Sequence, residues 1–293
     1  MNIAALTYNV SSLYGRTPPV CSAKNGGAGT GAVSHFTSVT EAVSSLLAES
    51  APQVIAFGEF HPQPGYDYRT AKAYFADEVI PLLAEEGITD LVVEQLLDEP
   101  IIATELAYFA ETGRIGTYST PTLWRTIKRY VDQADLLRII TTARRYGIRV
   151  HPGGMTEAQA AETIWRADWY SDRTVQLTGW QYAEEAGRRT ADRLMQAGVR
   201  FAVYNGFRHH AAHAGQIAAE EGGSNYGAYL ARTLGESYVE VELFPAGGLR
   251  TLGQNSLDFL GLGDWAELAP AGGVNLIERQ TGSILIPAAA LNN

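Results

Sequence analysis

A glutamate and a histidine stand two residues apart at the end of an apolar run in this sequence. The run is VIAF, and Gly58, Glu59, Phe60 and His61 follow it directly. Side chains two residues apart on a β-strand point to the same side, so Glu59 and His61 can face one pocket. A carboxylate beside an imidazole suits general acid–base chemistry or metal binding. Gly58 removes a side chain at a point where another group can approach closely.

Two further apolar runs carry polar groups of the same kinds. Glu94 lies inside the run LVVEQL, where a carboxylate is costly to bury unless it is paired, protonated or bound to a metal. The run FAVYNGFRHH ends in Arg208, His209 and His210. Neighbouring parallel strands lie about 4.8 Å apart, so the ends of three close strands can gather two carboxylates and two imidazoles. The residues alone leave open which histidine of the doublet takes part.

Such a group of side chains predicts one of two kinds of site. In the first, the four side chains bind a divalent transition metal, Zn²⁺, Mn²⁺ or Co²⁺, which activates water. In the second there is no cofactor, and a glutamate or histidine is the general base while other groups, Arg208 among them, hold the developing oxyanion. Both predict a hydrolase that cleaves an amide bond in a peptide or protein substrate. An esterase needs the same groups.

Three other features are weaker candidates for the same pocket. His151 leaves a strand end in RVHPGG and is either a pocket residue or a loop histidine before proline. Arg173, in YSDRT, either contacts the substrate or forms an ion pair at the start of a helix. In HHAAH, His209 and His213 stand one helical turn apart, as in zinc proteases with the motif H-E-x-x-H. In this sequence, however, His210 stands at the position of the glutamate that serves as general base in those proteases.

The positioning of these groups requires a sheet whose strands end at a common edge. Apolar runs alternate with helical patterns along the chain, which predicts an α/β fold with a central, mainly parallel sheet and helices on both faces. The strands around residues 53–58, 90–95 and 200–205 are expected to be close neighbours. A helical crossover joins the first two and implies that they pair in parallel. Sites in such folds lie at the carboxyl ends of the strands.

The rest of the chain is organised around this sheet. Residues 1–35 are predicted to be a flexible lead-in, because the Pro- and Gly-rich part of this segment matches no phosphate-binding motif. A single α/β domain is predicted over residues 36–293. It contains a helical insertion at about 100–146 and a glycine-rich tail after residue 245.

Composition argues against several classes of protein. The chain has 293 residues, of which 46% are hydrophobic and 18% charged, as in ordinary globular proteins with a large core. A formal net charge of −10 argues against nucleic acid or a membrane surface as a partner. Cys21 is the only cysteine, and the N-terminus has neither the basic start nor the apolar run of a signal peptide. We expect a cytoplasmic protein, or export without a Sec signal, and the sequence leaves the oligomeric state open.

The motifs resemble those of a known superfamily. VIAFGEFH is similar to the G-E-x-H signature of the Tiki, ChaN-like and erythromycin-esterase-like superfamily. DLVVEQL resembles its second acidic strand, and FAVYNGFRHH its later strand with a G-x-x-H-type histidine. The likeness continues through YGAYLARTLGESYVEVELF and spans about residues 40–245. Members include Tiki metalloproteases, haem-binding uptake proteins, erythromycin esterases and the Ras/Rap1-cleaving peptidase domains of bacterial toxins.

The resemblance implies roles for individual residues. Four of them take the functional places: Glu59, His61, Glu94 and His209. His209 fits because it stands three residues after Gly206, and His210 is the alternative one position later. The uptake branch implies a different function, a non-catalytic binder of haem or metal, and the esterase branch implies cleavage of an ester.

Overall fold

The structure is a computed structural model of the chain. It describes residues 32–49, 51–62, 65–169, 171–210, 225–252, 262, 265–278 and 282–288. His213, and with it the helical interpretation of HHAAH, lies outside the described residues. So does the predicted lead-in up to residue 31.

One mixed sheet organises the described residues. Its strands are β1 (Val33–Phe36), β2 (Val54–Glu59), β3 (Asp90–Leu97), β4 (Arg149–Gly154), β5 (Phe201–Gly206), β6 (Tyr238–Leu243), β7 (Val274–Glu278) and β8 (Ser283–Pro287). They lie in the order β1-β7-β8-β6-β2-β5-β3-β4. Strand β7 runs antiparallel to its neighbours β1 and β8, and the other pairs of neighbouring strands are parallel. The predicted α/β fold with a mainly parallel sheet is confirmed.

Helices connect the strands. They are α1 (Val39–Glu49), α2 (Ala71–Tyr74), α3 (Ile80–Glu85), α4 (Pro100–Thr112), α5 (Pro121–Ile127), α6 (Gln133–Arg145), α7 (Glu157–Glu162), α8 (Arg173–Gln196), α9 (Tyr226–Leu234), α10 (Ala246–Leu249) and α11 (Trp265–Leu268). A π-helical turn at Phe75–Val79 joins α2 to α3. Helices α4, α5 and α6 lie within residues 100–146. In the described part of the chain, no helix has the length and apolar character needed to cross a bilayer.

Helices cover both faces of the sheet, as predicted. Ile55 and Phe57 pack with residues of α1 through α6. Val54 and Ala56, on the opposite face of the same strand, pack with residues of α8 and α9. A strand buried on both faces has no polar alternation. That burial is why the run before Glu59 is continuously apolar.

Strand β5 lies between β2 and β3. Phe201 is aligned in parallel both with Val54 of β2 and with Asp90 of β3. The expectation that these three strands are close neighbours is confirmed. The expectation that β2 and β3 pair directly is wrong. A helical crossover fixes the parallel direction of two strands but leaves room for a later strand to enter between them.

Candidate active site

Three adjacent strands, β2, β5 and β3, place polar side chains near their carboxyl ends, on one side of the molecule. Glu59 ends β2, and Gly206 ends β5 just before a single 3₁₀ turn at Phe207–His209. In β3 the register with β4 shifts between Val93 and Leu97, so the strand is irregular where Glu94 lies. Such irregularities re-aim side chains next to sites. The three strand ends open into a cavity of about 270 Å³.

The Glu59 carboxylate is buried and holds His61. Its Oε1 accepts a hydrogen bond from Nδ1 of His61 at 3.0 Å, and its Oε2 accepts one from the Tyr204 hydroxyl at 2.7 Å. With the proton on Nδ1, the lone pair of His61 lies on Nε2. No described residue hydrogen-bonds to that atom. Partial removal from water lowers the pKa of His61, whose side chain is about half exposed, but the hydrogen bond and charge of Glu59 outweigh this effect, and the pKa is raised.

A buried lysine completes the surroundings of Glu59. Lys72 is 0% exposed, and its ammonium group contacts Oε1 of Glu59 and lies 2.7 Å from Oδ2 of Asp132. Burial alone lowers the pKa of Lys72, yet the charges of Asp132 and Glu59 raise it above its usual value. Burial raises the pKa of Asp132, but the charge of Lys72 lowers it by more, so the net effect is a lowered pKa. The ammonium group is therefore held as a cation between two carboxylates.

The second half of the site is a histidine between two glutamates. Nε2 of His209 lies 3.0 Å from Oε1 of Glu94, and Nδ1 lies 2.7 Å from Oε1 of Glu184 on α8. Burial lowers the pKa of His209, but the charges of Glu94 and Glu184 raise it to well above its usual value. Burial raises the pKa of Glu94, and the charge of His209 brings it down to about 2. His209 is thus an imidazolium that donates both N–H groups.

The two halves meet beside the α-carbon of Gly206. A Cβ atom on this glycine would lie 3.5 Å from Oε2 of Glu94, 3.6 Å from Nε2 of His61 and 3.7 Å from Cδ2 of His209. The backbone N–H of Gly206 donates to Oε2 of Glu94 at 2.6 Å, which fixes that carboxylate. The missing side chain leaves a small space that the base nitrogen of His61 and a carboxylate oxygen both face.

The candidate residues outside these two halves are spread over the site and its surroundings. Arg208 lines the cavity, and its guanidinium lies 4.5 Å from the ring centroid of Trp180. Arg173 lies 4.9 Å from the same ring and is not among the residues that line the cavity. His151 is also placed elsewhere: its Nε2 lies 2.6 Å from Oδ1 of Asp90, at the opposite end of β3 from the cavity.

The two histidines of the doublet point to different places. The 3₁₀ turn at Phe207–His209 directs His209 to Glu94, whereas the buried His210 has Nε2 3.0 Å from Oδ1 of Asn205. His210 packs directly over Gly58, where a Cβ atom would come within 2.6 Å of its ring. The glycine of the G-E-x-H motif therefore makes room for His210, on the face of β2 opposite Glu59.

The four predicted donors do not converge on one cation. Among the described residues, no group of three or more His, Cys, Asp or Glu side chains is placed to hold a metal ion. Glu59 accepts from an ammonium, a hydroxyl and an imidazole, and Glu94 accepts from His209 and a backbone N–H. Lys72 provides the positive charge next to Glu59. In this arrangement the residues do not fit a single-ion site.

Known structures are similar to this one in fold. A mutant of the erythromycin esterase EreC in its open conformation superposes with a TM-score of 0.53, over 89% of this chain and 99% of that one, at 11% sequence identity. The fold is similar to that of an erythromycin esterase. A protein from Bacillus cereus superposes with a TM-score of 0.50, over 73% of this chain and 72% of its own, at 12% identity. No family model and no curated protein matches the sequence.

The walls of the cavity are mostly apolar. They include Phe60, Leu97, Tyr130, Met155, Ile164, Trp169, Trp180 and Phe207. The charged and polar groups are concentrated where the strands end, so the cavity offers few hydrogen-bonding groups away from the two halves of the site.

Sequence reasoning missed four residues of the site. Lys72 and Glu184 lie on helices, Asp132 precedes α6, and Tyr204 is inside an apolar strand. A signal existed for two of them. Lys72 stands among small and aromatic residues in TAKAYF, and Tyr204 lies two residues before Gly206 on the face of β5 that carries no other polar group. Nothing distinguished Asp132 or Glu184 from the other acidic residues.

Proposed function

We propose that this chain is a hydrolase of carboxylic esters in which His61 activates water. One observation carries the proposal: Nε2 of His61 and Oε2 of Glu94 lie on the same side of Gly206, 3.6 Å and 3.5 Å from the point where a Cβ atom of that residue would stand. A water molecule there can donate one hydrogen bond to each, which leaves an oxygen lone pair for attack. General-base catalysis needs this geometry before any particular pKa.

The reaction follows from these contacts. The water oxygen attacks the ester carbonyl carbon while its proton passes to Nε2 of His61, and the Nδ1–H of His61 stays with Glu59. The tetrahedral intermediate then collapses, the C–O bond to the alcohol breaks, and His61 returns the proton to the leaving oxygen. The products are a carboxylic acid and an alcohol. Glu59 stabilises the imidazolium form of His61 during the reaction.

The remaining groups orient the reactants. His209, held by Glu94 and Glu184, keeps the Glu94 carboxylate in place to orient the water. The cluster of these three residues has a net negative charge, so it does not stabilise an oxyanion. Arg208 is the cationic side chain on the cavity wall that we assign to that task.

An apolar cavity favours an ester over a peptide substrate. Extended peptides are recognised largely through main-chain hydrogen bonds, and the cavity walls provide few groups to make them. The similar fold of an erythromycin esterase and the G-E-x-H, Glu and G-x-x-H pattern together support membership of the superfamily that the motifs resemble. Cleavage of a peptide bond, the first expectation from the sequence, uses the same groups and is the alternative that the experiment separates.

A substrate panel with matched variants tests the proposal. Turnover is measured on chromogenic esters with acyl chains of increasing length and on a peptide library, for the wild type, Glu59→Ala and His61→Ala. His35→Ala is the control, because His35 is exposed and bonds to Asn275 on β7. We expect ester turnover that is lost in the first two variants only, and that survives a chelator.

Three results would change this assignment. Full ester turnover in His61→Ala would refute the proposed base. Cleavage of peptides alone would make the chain a peptidase with the same site. Loss of turnover in a chelator, restored by Zn²⁺, Mn²⁺ or Co²⁺, would establish the metal-dependent form.

A further inference from the structure

The buried ammonium group of Lys72 has no place in the chemical steps above, yet it touches the residue that holds the base. We propose that Lys72 is a positioning residue: it holds the Glu59 carboxylate so that one oxygen keeps the His61 proton on Nδ1. This inference rests on the proposed hydrolase, because it assigns Lys72 a role in the same reaction.

The contacts of Lys72 are specific to one carboxylate orientation. Its ammonium group reaches Oε1 of Glu59, the oxygen that also accepts from His61, while the Tyr204 hydroxyl binds Oε2. Two donors on different oxygens fix the plane of the carboxylate. With the carboxylate fixed, the hydrogen bond from Nδ1 of His61 to Oε1 allows one orientation of the imidazole ring. In that orientation the Nε2 lone pair faces the cavity.

Asp132 holds the lysine in turn. Its Oδ2 lies 2.7 Å from the Lys72 ammonium group, and both side chains are buried. Helix α2, which carries Lys72, is also tied to α6, because Thr70 donates to Asp135 at 2.7 Å. The lysine therefore has little freedom to move, and a buried cation with fixed partners can act as a rigid support for Glu59.

Removal of the lysine charge leaves two buried carboxylates facing each other. They repel, and Glu59 keeps only Tyr204 and the longer 3.4 Å contact from Gln95 besides His61. Its carboxylate is then no longer fixed in one plane. The imidazole loses its single orientation, whereas the apolar walls that bind substrate are unchanged.

Lys72→Met in the full chain tests this role, because methionine has a similar length and no charge. The control is Lys128→Met, since Lys128 is exposed and contacts Trp124. Two experiments are made: steady-state kinetics on the best ester, which give kcat and KM, and NMR of the ¹⁵N signals of the His61 ring. We expect kcat to fall about 10- to 100-fold, by analogy with the residues that orient the ligands of metal sites. KM should stay constant, and the His61 signals should move from a single Nδ1–H tautomer towards a mixture.

A second variant covers the case in which Lys72→Met does not fold. Lys72→Met/Asp132→Asn removes both members of the ion pair and leaves Glu59 as the only buried charge at this point. The same losses are expected. A folded variant with wild-type kcat and unchanged His61 signals overturns the proposal, even if it melts at a lower temperature. If the wild type cleaves no ester, the proposed function fails, and the ¹⁵N signals alone decide the role of Lys72.

Discussion

The space beside Gly206 can be filled by a single methyl group. Gly206 has φ −68° and ψ 141°, an extended conformation that any L-residue adopts, so Gly206→Ala introduces no backbone strain. The added Cβ would lie 3.5 to 3.7 Å from its nearest neighbours, which is ordinary van der Waals contact. Those neighbours are Glu94, His61 and His209. The substitution thus tests the reaction centre without removing any polar group.

Opposite effects on stability and on activity are expected. A compatible Gly→Ala change typically stabilises a protein by about 0.4–1 kcal/mol, because the unfolded chain loses conformational freedom. In the proposed mechanism the methyl group would displace the attacking water from its position between His61 and Glu94. Misplacement of a reacting group by about 1 Å can cost on the order of 100-fold in rate. That loss corresponds to about 2.7 kcal/mol of activation free energy.

The assay compares Gly206→Ala with a matched variant. Gly272→Ala is suitable, because a Cβ atom on Gly272 meets nothing within 4 Å and its φ lies outside the left-handed region. We expect both variants to melt at or above the wild-type temperature and only Gly206→Ala to lose kcat/KM. A folded Gly206→Ala protein with wild-type kcat/KM would show that the water does not occupy this space.

Two further predictions concern pH. Desolvation lowers the pKa of His61, but Glu59 raises it by more, so the pKa lies above 6.5. The value of kcat/KM should therefore fall as the pH drops through that pKa, and Glu59→Gln should move the fall to lower pH. A pH–rate profile whose acid limb does not move in this variant would contradict the pairing of Glu59 with His61. The pKa of Glu94 is lowered from 4.5 to about 2, so its contribution to stability is complete above pH 4.5 and is lost as the pH falls towards 2. Thermal melts should therefore show a wild-type advantage over Glu94→Gln of up to about 3 kcal/mol near neutral pH, which disappears in acid.

The sequence predicted the class of fold but not the order of the strands. Continuous apolar runs are a strong signal for strands buried on both faces, and they located β2, β3 and β5. Strand β1 gave no such signal, because its side chains are alternately exposed and half-buried. The position of β5 between β2 and β3 depends on contacts between distant parts of the chain, which periodicity cannot reveal.

The proximity of the candidate residues was predictable where strands carry them. Residues at the carboxyl ends of parallel strands meet whatever the details of packing, and Glu59, Glu94 and His209 follow that rule. Helical residues do not. Lys72 lies on a short helix whose four residues are all buried, and Glu184 is one of many charged residues on the long helix α8. Only the packing of these helices against the sheet decides where the two side chains lie.

The central position of β5 also determines when the sheet can be completed. Strands β2 and β3 both pair with β5, where Phe201 is aligned with Val54 and with Asp90. During synthesis, β2 and β3 therefore emerge with unfilled edges while more than a hundred further residues are made. Contacts this distant in sequence form slowly, and exposed apolar edges invite pairing with other chains. The arrangement that brings the two halves of the site together thus leaves unpaired strand edges in the nascent chain until β5 has been made.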